Sequence, residues 1–168
     1  MPSYIALLRG INVGGKGKLP MAELAELCES QGCKDVKTYI QSGNVVFTSR
    51  SSPANLQKKL EKALADKMGK PIAVMVRTAA EMESIATSNP FPTAPLNKVV
   101  VFFFQEEAAA ESFAEVEPPG KEEIVQQGSE VFIHYPDGQG KSKLKLPATG
   151  TGRNLNTVNK LVSLSRRK

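Results

Sequence analysis

The change of hydrophobic periodicity along the first 78 residues constrains the fold of this chain more than any other feature. Helices repeat apolar residues every three to four positions, whereas half-buried strands alternate them. Pro20 and Ser52-Pro53 favour helix starts, and Gly32 and Gly69 favour helix ends. The pattern reads strand, helix, strand, strand, helix, strand in residues 4–9, 20–32, 36–41, 45–48, 53–69 and 72–76. The order β-α-β-β-α-β is the signature of a ferredoxin-like plait.

The second half repeats part of this pattern after a Pro-rich connector in residues 89–95. The predicted elements are a central strand buried on both faces (99–104), an acidic helix (106–116), a hairpin around Gly128-Ser129 (122–135) and a last helix capped by Asn154. We therefore predict the α+β class with two ferredoxin-like subdomains, the second truncated or modified. The predicted division is a first subdomain in residues 1–78, a helix and connector in 79–97, and a second subdomain in 98–168.

Composition excludes several classes of protein. The longest apolar run has six residues, Val99 to Phe104, and a membrane-spanning helix needs about 20. The amino terminus lacks the pattern of an export signal, so we expect a cytoplasmic protein with no membrane partner. Cys28 and Cys33 have no second pair and no neighbouring His to complete a zinc site, which favours reduced, structural thiols. No metal and no cofactor are expected.

Charge is distributed unevenly along the chain. Residues 1–80 carry a net charge of +6, residues 81–140 a net charge of −9, and residues 141–168 a net charge of +8. Either the basic ends contact the acidic middle, or both ends meet an anionic partner. A separate hypothesis makes residues 106–123 an exposed acidic face that docks a basic protein.

The topology of the first plait predicts a ligand-binding edge. In this fold the end of strand 1, the start of helix 1 and the turn between strands 2 and 3 lie at one edge of the sheet. Glycines let backbone N–H groups approach a ligand, and a helix start adds positive potential, so the edge suits an anion. The residues brought together there are Arg9, Asn12, Lys16, Gln41, Ser42 and Asn44. Alternatively, the glycines only make the turn and the polar side chains fasten loop backbone.

Residues 10–17 nearly match the phosphate-binding loop G-x-x-x-x-G-K-[ST]. Gly17 replaces the Ser or Thr that would hold Mg²⁺, and the predicted helix begins about three residues too late for that motif. The match therefore does not indicate a nucleotide site.

A second group of donors lies near the carboxy terminus. The stretch Gly140 to Lys145 contains Lys143 and is followed by Arg153 and Asn154 at the start of the last helix, an arrangement that also fits an anion. The alternative is a solvated basic loop. The RNP1 string of RNA-binding plaits is absent, so nucleic acid is a partner that no motif supports.

No complete catalytic signature is present, and whether the chain is an enzyme is left open. The only histidine, His134, could serve as base for Ser42 or Ser142 in a small-molecule hydrolase or transferase. Such a site requires a serine hydroxyl within about 3 Å of the imidazole. A histidine at a strand end, bonded to a loop, is the alternative, with Asp137 as a turn residue.

Five strings in the chain, RGINVGG, YIQSGNVVF, NPFP, HYPDG with SKL, and RNLNTV, resemble those of a bacterial family labelled domain of unknown function 1697. The resemblance implies two ferredoxin-like subdomains and carries no established activity, substrate or cofactor. Family members place a longer, partly helical segment where this chain has only residues 145–152. The leading hypothesis is a binding module for a phosphorylated or otherwise anionic ligand.

Overall fold

A computed structural model of the chain describes residues 2–9, 19–39, 43–147 and 150–166. They form two compact units, the first comprising residues 1–84 with 160–168 and the second residues 85–159. Both units combine helices with a four-stranded antiparallel sheet, which confirms the α+β class. Within the described part of the chain, no helix is both long and apolar enough to cross a membrane.

The first unit follows the predicted order of elements. They are β1 (Ser3–Leu8), α1 (Met21–Ser30), β2 (Lys34–Tyr39), β3 (Asn44–Thr48), α2 (Pro53–Met68) and β4 (Val74–Thr78), followed by the start of α3 (Ala79–Thr87). The sheet has the strand order β2-β3-β1-β4, and every neighbouring pair is antiparallel. The crossover through α1 therefore inserts β3 between the first two strands.

The core of the first unit joins the apolar stripes of α1 and α2 to one face of this sheet. The helices contribute Leu24, Leu27, Cys28, Leu56, Leu60 and Leu64, and the strands contribute Ala6, Leu8, Val45, Phe47, Val74 and Val76. Ile5 and Leu7 lie on the opposite face of β1 and are fully buried as well. Strand β1 is thus covered on both faces, in accordance with its continuous apolar sequence.

The predicted end signals of α2 are present in the structure. The Ser52 hydroxyl accepts a hydrogen bond from the Asn55 N–H at 3.2 Å, Pro53 occupies the first turn, and Gly69 ends the helix with φ 72°. These contacts satisfy backbone groups that a helix end leaves without partners. Short-range chemistry therefore determines where this helix begins and ends.

The second unit contains four strands, one more than the sequence predicted. Its elements are β5 (Val99–Phe103), α4 (Glu107–Glu111), β6 (Glu123–Gln127), β7 (Glu130–His134), β8 (Thr151–Asn154) and the start of α5 (Leu155–Ser165), whose residues from 160 onward belong to the first unit; 3-10 turns lie at Leu96–Lys98, Ser112–Glu115 and Gln139–Lys141. The strand order β6-β7-β5-β8 repeats that of the first sheet. Strand β5 is central and buried along its whole length, as predicted.

The register of the β6-β7 hairpin also agrees with the sequence. Glu123 lies opposite His134, and Gln127 lies opposite Glu130, so the turn consists of Gly128 and Ser129 alone. The predicted acidic helix is shorter than expected, because after Glu111 the chain tightens into the 3-10 turn Ser112–Glu115.

Among the described residues between β7 and β8 there is no α-helix, whereas the first unit has α2 between β3 and β4. Two phenylalanine rings lie over β8 and the residue before it. A Cβ added at Gly152 would lie 2.8 Å from the Phe102 ring, and one added at Gly150 would lie 2.8 Å from the Phe104 ring. The rings occupy space that side chains at 150 and 152 would need, and they belong to the core that also contains Val131.

Candidate functional site

The predicted edge of the first unit is formed by the end of β1 and the β2-β3 hairpin. The Leu8 N–H donates to the Gly43 carbonyl at 2.9 Å, and the Arg9 N–H donates to the Ala73 carbonyl at 3.0 Å. Arg9 is exposed, one residue from the hydrogen bond to the hairpin. The end of β1 therefore lies beside Gly43, directly before β3.

Of the other residues predicted for this edge, the structure describes only Asn44. Asn12, Lys16, Gln41 and Ser42 lie outside the described residues, as does the stretch that resembles a phosphate-binding loop. Asn44 is fully buried, and its amide nitrogen donates to the Tyr39 carbonyl at 3.0 Å. Asn44 therefore fastens the hairpin backbone, as the alternative interpretation of these polar residues proposed.

Arg153 and Asn154 lie on β8, where each has a local structural contact. The guanidinium of Arg153 donates to the Gly152 carbonyl at 2.9 Å, and burial lowers its pKa to about 10, so it stays cationic at neutral pH. The side-chain oxygen of Asn154 accepts from the Thr157 N–H at 3.0 Å. Asn154 thus caps α5, as predicted.

Lys143 lines a cleft of about 180 Å³ in the second unit, which we call the lysine cleft. Its lining consists of Pro119, Gly120, Lys121, Glu122, Asp137, Lys141 and Lys143. Arg153 and Asn154 are not among these residues. Drug-sized ligands occupy pockets of roughly 300–1,000 Å³, so this volume suits a smaller molecule.

Two loops form the walls of the lysine cleft, and a hydrogen bond joins them. The Ser142 hydroxyl donates to Glu122 Oε1 at 2.9 Å, and the Gly120 N–H donates to Glu122 Oε2 at 3.1 Å. A hydrogen bond from its own backbone N–H lowers the pKa of Glu122 most, and the bonds from Ser142 and Gly120 lower it further. The carboxylate of Glu122 is therefore ionised and held in place at neutral pH.

The chain around Ser142 is anchored inward at alternate positions. Ser142 and Leu144 are half-buried, whereas Lys141, Lys143 and Lys145 are exposed. Leu144 packs against the core of the second unit, and its N–H donates to the Ser142 hydroxyl at 3.1 Å. This alternation leaves the three lysines exposed, and two of them, Lys141 and Lys143, line the lysine cleft.

The lysine cleft holds charged groups that lack partners. Among the residues that the structure describes, Lys121, Lys141, Lys143 and Asp137 make no hydrogen bond or ion pair through their side chains. The three lysines outnumber the two carboxylates of the cleft, Glu122 and Asp137, and this excess of positive charge attracts anions. Lys121 and Glu122 were absent from the sequence-predicted site.

The predicted hairpin already contained the signal for this part of the cleft. With a two-residue turn at Gly128-Ser129, Glu123 pairs with His134, and extending this register by one position predicts Glu122 beside Tyr135. Residues 119–122 therefore adjoin the turn at residues 136–137. The pairing of those two loops could have been deduced from the sequence, whereas the bond between Ser142 and Glu122 could not.

The pairing of Ser142 with His134 that a hydrolase would use is not formed. The Ser142 hydroxyl donates to Glu122, while His134 Nδ1 lies 3.5 Å from Glu123 Oε1. The imidazole also packs on Phe91, with ring centroids 5.5 Å apart. His134 is thus a strand-end residue with structural neighbours. Ser42, the other predicted nucleophile, lies outside the described residues.

The glutamates of the acidic segment are mostly exposed, and the two cysteines are buried. Six glutamates of residues 106–123 are exposed, namely Glu106, Glu107, Glu111, Glu115, Glu117 and Glu123. Cys28 and Cys33 are free and buried. A hydrogen bond between the two thiols, together with burial, raises the pKa of Cys28, and the same bond lowers the pKa of Cys33. Within the described ranges, no three His, Cys, Asp or Glu side chains cluster closely enough for a metal ion.

Comparison with known proteins places this architecture in a family. A solved structure described as a conserved bacterial protein from Streptococcus pneumoniae is similar over 98% of this chain and 99% of its own length, with a TM-score of 0.83 and 27% sequence identity. No curated protein matches the chain. The family described as "Protein of unknown function (DUF1697)" matches residues 1–132, which is most of the sequence. The chain belongs to the DUF1697 family, as the strings in its sequence indicated.

Proposed function

We propose that this protein binds a small anionic ligand in the lysine cleft. One observation carries the proposal: Lys121, Lys141 and Lys143 line a space of about 180 Å³, and their side chains have no hydrogen-bond or ion-pair partner in the described part of the chain. Like charges that converge on an open space repel one another, and a bound anion relieves that repulsion. A cleft this small fits one anionic group with a few further atoms.

The backbone and the carboxylate of the cleft support the same proposal. The hydrogen bonds that Glu122 receives from Ser142 and Gly120 hold the two loops together before any ligand arrives. A preformed cleft loses less conformational entropy on binding than a mobile loop does. The bond between Ser142 and Glu122 therefore favours binding indirectly.

A thermal-shift screen of phosphate, citrate, sugar phosphates, nucleotides and short RNA tests the proposal. A ligand at a hundred times its dissociation constant stabilises the folded state by about 2.7 kcal/mol. We expect Lys143→Ala to abolish the shift that an active anion produces. Lys145→Ala is the matched control, because Lys145 is an exposed lysine of the same loop that does not line the cleft.

Replacement of Arg9 separates this site from the edge of the first unit. If the anion binds in the lysine cleft, Arg9→Ala leaves the shift unchanged. A shift that disappears in Arg9→Ala and persists in Lys143→Ala assigns the ligand to the first-unit edge and refutes the proposed cleft. RNA binding would show a steep loss of affinity with salt, because phosphate contacts release counterions.

We also infer that both units are variants of the ferredoxin-like plait. The support is the identical relation between chain order and strand order in the two sheets, β2-β3-β1-β4 and β6-β7-β5-β8. The second unit is then a plait that lacks its second helix. We also propose a cytoplasmic location, because free buried thiols such as Cys28 and Cys33 suit a reducing compartment.

A further inference from the structure

The carboxylate of Asp137 is the feature of the lysine cleft that an anion alone does not explain. Asp137 lies in the turn after β7, in which the Gly138 N–H donates to the Tyr135 carbonyl at 2.9 Å. That backbone bond closes the turn without help from the Asp137 side chain. The carboxylate is exposed, and it makes no ion pair with the lysines of the cleft.

The two carboxylates in the cleft differ in the hydrogen bonds that they receive. Glu122 already receives hydrogen bonds on both of its oxygens, from Ser142 and from Gly120. Asp137 receives none from the described residues. An ionised carboxylate is a strong acceptor with about four lone-pair sites. Asp137 is therefore the acceptor in the lysine cleft that is available to a ligand.

We infer that the ligand carries hydroxyl groups as well as its anionic group, and that Asp137 accepts a hydrogen bond from one of them. This inference rests on the proposed function of the lysine cleft. A hydroxyl donates to Asp137 without adding charge, whereas an ammonium group would enter a cleft whose three lysines outnumber its two carboxylates. The ligand class is a small hydroxylated anion, such as a polyol phosphate or a hydroxy acid.

Matched pairs of probes test the inference by isothermal titration calorimetry. Glycerol 3-phosphate and propyl phosphate share a phosphate and three carbons and differ in their hydroxyls; glycerate and propionate make the same comparison for a carboxylate. We expect the hydroxylated member of the pair that binds to be about tenfold tighter, the low end of the effect of one hydrogen bond to a charged group. Phosphoethanolamine, which offers an ammonium donor, should bind more weakly than glycerol 3-phosphate.

Two variants of Asp137 identify the acceptor. In Asp137→Ala the preference for the hydroxylated probe should disappear, while propyl phosphate binds as well as before or better because a repulsive charge is gone. In Asp137→Asn the amide oxygen still accepts, so part of the preference should remain. A preference that survives intact in Asp137→Ala overturns the role of Asp137.

The outcomes separate this inference from the proposed function. Equal binding of glycerol 3-phosphate and propyl phosphate to the wild-type protein, abolished in Lys143→Ala, refutes the hydroxylated ligand and leaves the anion site. Tighter binding of phosphoethanolamine than of glycerol 3-phosphate refutes the hydroxyl donor in favour of a cation. Absence of binding by every probe refutes both proposals.

Discussion

Replacing Gly152 with alanine tests whether the Phe102 ring lies over β8 in place of a side chain. Gly152 lies directly opposite Phe102 in the β5-β8 pair. A Cβ at this position would be 2.8 Å from Phe102 Cε1 and 3.2 Å from Cδ1. Carbon atoms in favourable contact lie about 3.5–4.0 Å apart. The ring must therefore move, and it has little room, because Phe102 is only 4% exposed.

The expected cost follows from the energetics of overfilled cores. Insertion of a methyl group into a packed core destabilises by about 1–3 kcal/mol. For a chain of this length, each kcal/mol lowers Tm by roughly 2–4 °C. We therefore expect Gly152→Ala to lower Tm by roughly 2–12 °C. The free energy of unfolding is measured by urea denaturation followed by circular dichroism.

A double-mutant cycle assigns the loss to this one contact. In a Phe102→Leu background the smaller side chain leaves room for the new methyl group, so Gly152→Ala should cost less there. Residues in contact show coupling energies of about 0.5–3 kcal/mol. Gly120→Ala is the control, because its added Cβ would meet no core side chain, only the Glu122 carboxylate, whose Oε2 lies 3.2 Å away. Full additivity of the two substitutions, or an unchanged stability in Gly152→Ala, would refute the proposed packing.

Three further predictions concern single contacts. Asn154→Ala removes the acceptor of the Thr157 N–H and should cost about 1 kcal/mol in urea denaturation, whereas Asn154→Ser should retain most of that stability. Ser142→Ala removes a hydrogen bond that lowers the pKa of Glu122, so NMR titration should show this pKa rising. A lowered carboxyl pKa stabilises the fold above pH 4.5, and this stability is lost on acidification. The variant should therefore lose less stability in acid than the wild type does. Burial, and to a smaller extent the nearby Glu122 charge, raises the pKa of Tyr135 from 10.0 to about 12. The stability that the protonated phenol contributes is therefore present below pH 10 and is lost as the pH rises towards 12. Tyr135→Phe should lose less stability at alkaline pH, and identical profiles of stability against pH in the two proteins would contradict the raised pKa.

Much of the fold could be predicted because local patterns and long-range pairing agree. The β6-β7 hairpin is an example, since two segments flank a two-residue turn, and the register set by that turn pairs the buried Ile133 with the half-buried Ile124 and the buried Phe132 with the half-buried Val125. The caps of α2 and α5 were predictable for the same reason, because Ser52 and Asn154 act on backbone groups a few residues away.

The candidate site was less predictable because it depends on which loops meet. Lys143 was identified from its basic surroundings, but Lys121 has no local pattern that marks it. Asn44 was predicted as a ligand contact, but its amide nitrogen donates to the Tyr39 carbonyl. The sequence does not show which hydrogen-bond partners a buried side chain finds. The edge that holds Arg9 follows from topology alone, and it was predicted.

The two β-rich units, the helix ends and the hairpin register can be read from the amino-acid order alone, since they arise from periodicity and from bonds between near neighbours. The tertiary structure makes Thr151–Asn154 a strand, because glycine and asparagine have low strand propensity and this segment pairs only where β5 provides hydrogen-bond partners. It also brought Lys121 beside Lys143 and joined Ser142 to Glu122, 20 positions earlier. Such contacts depend on the packing of whole loops, and no local pattern encodes them.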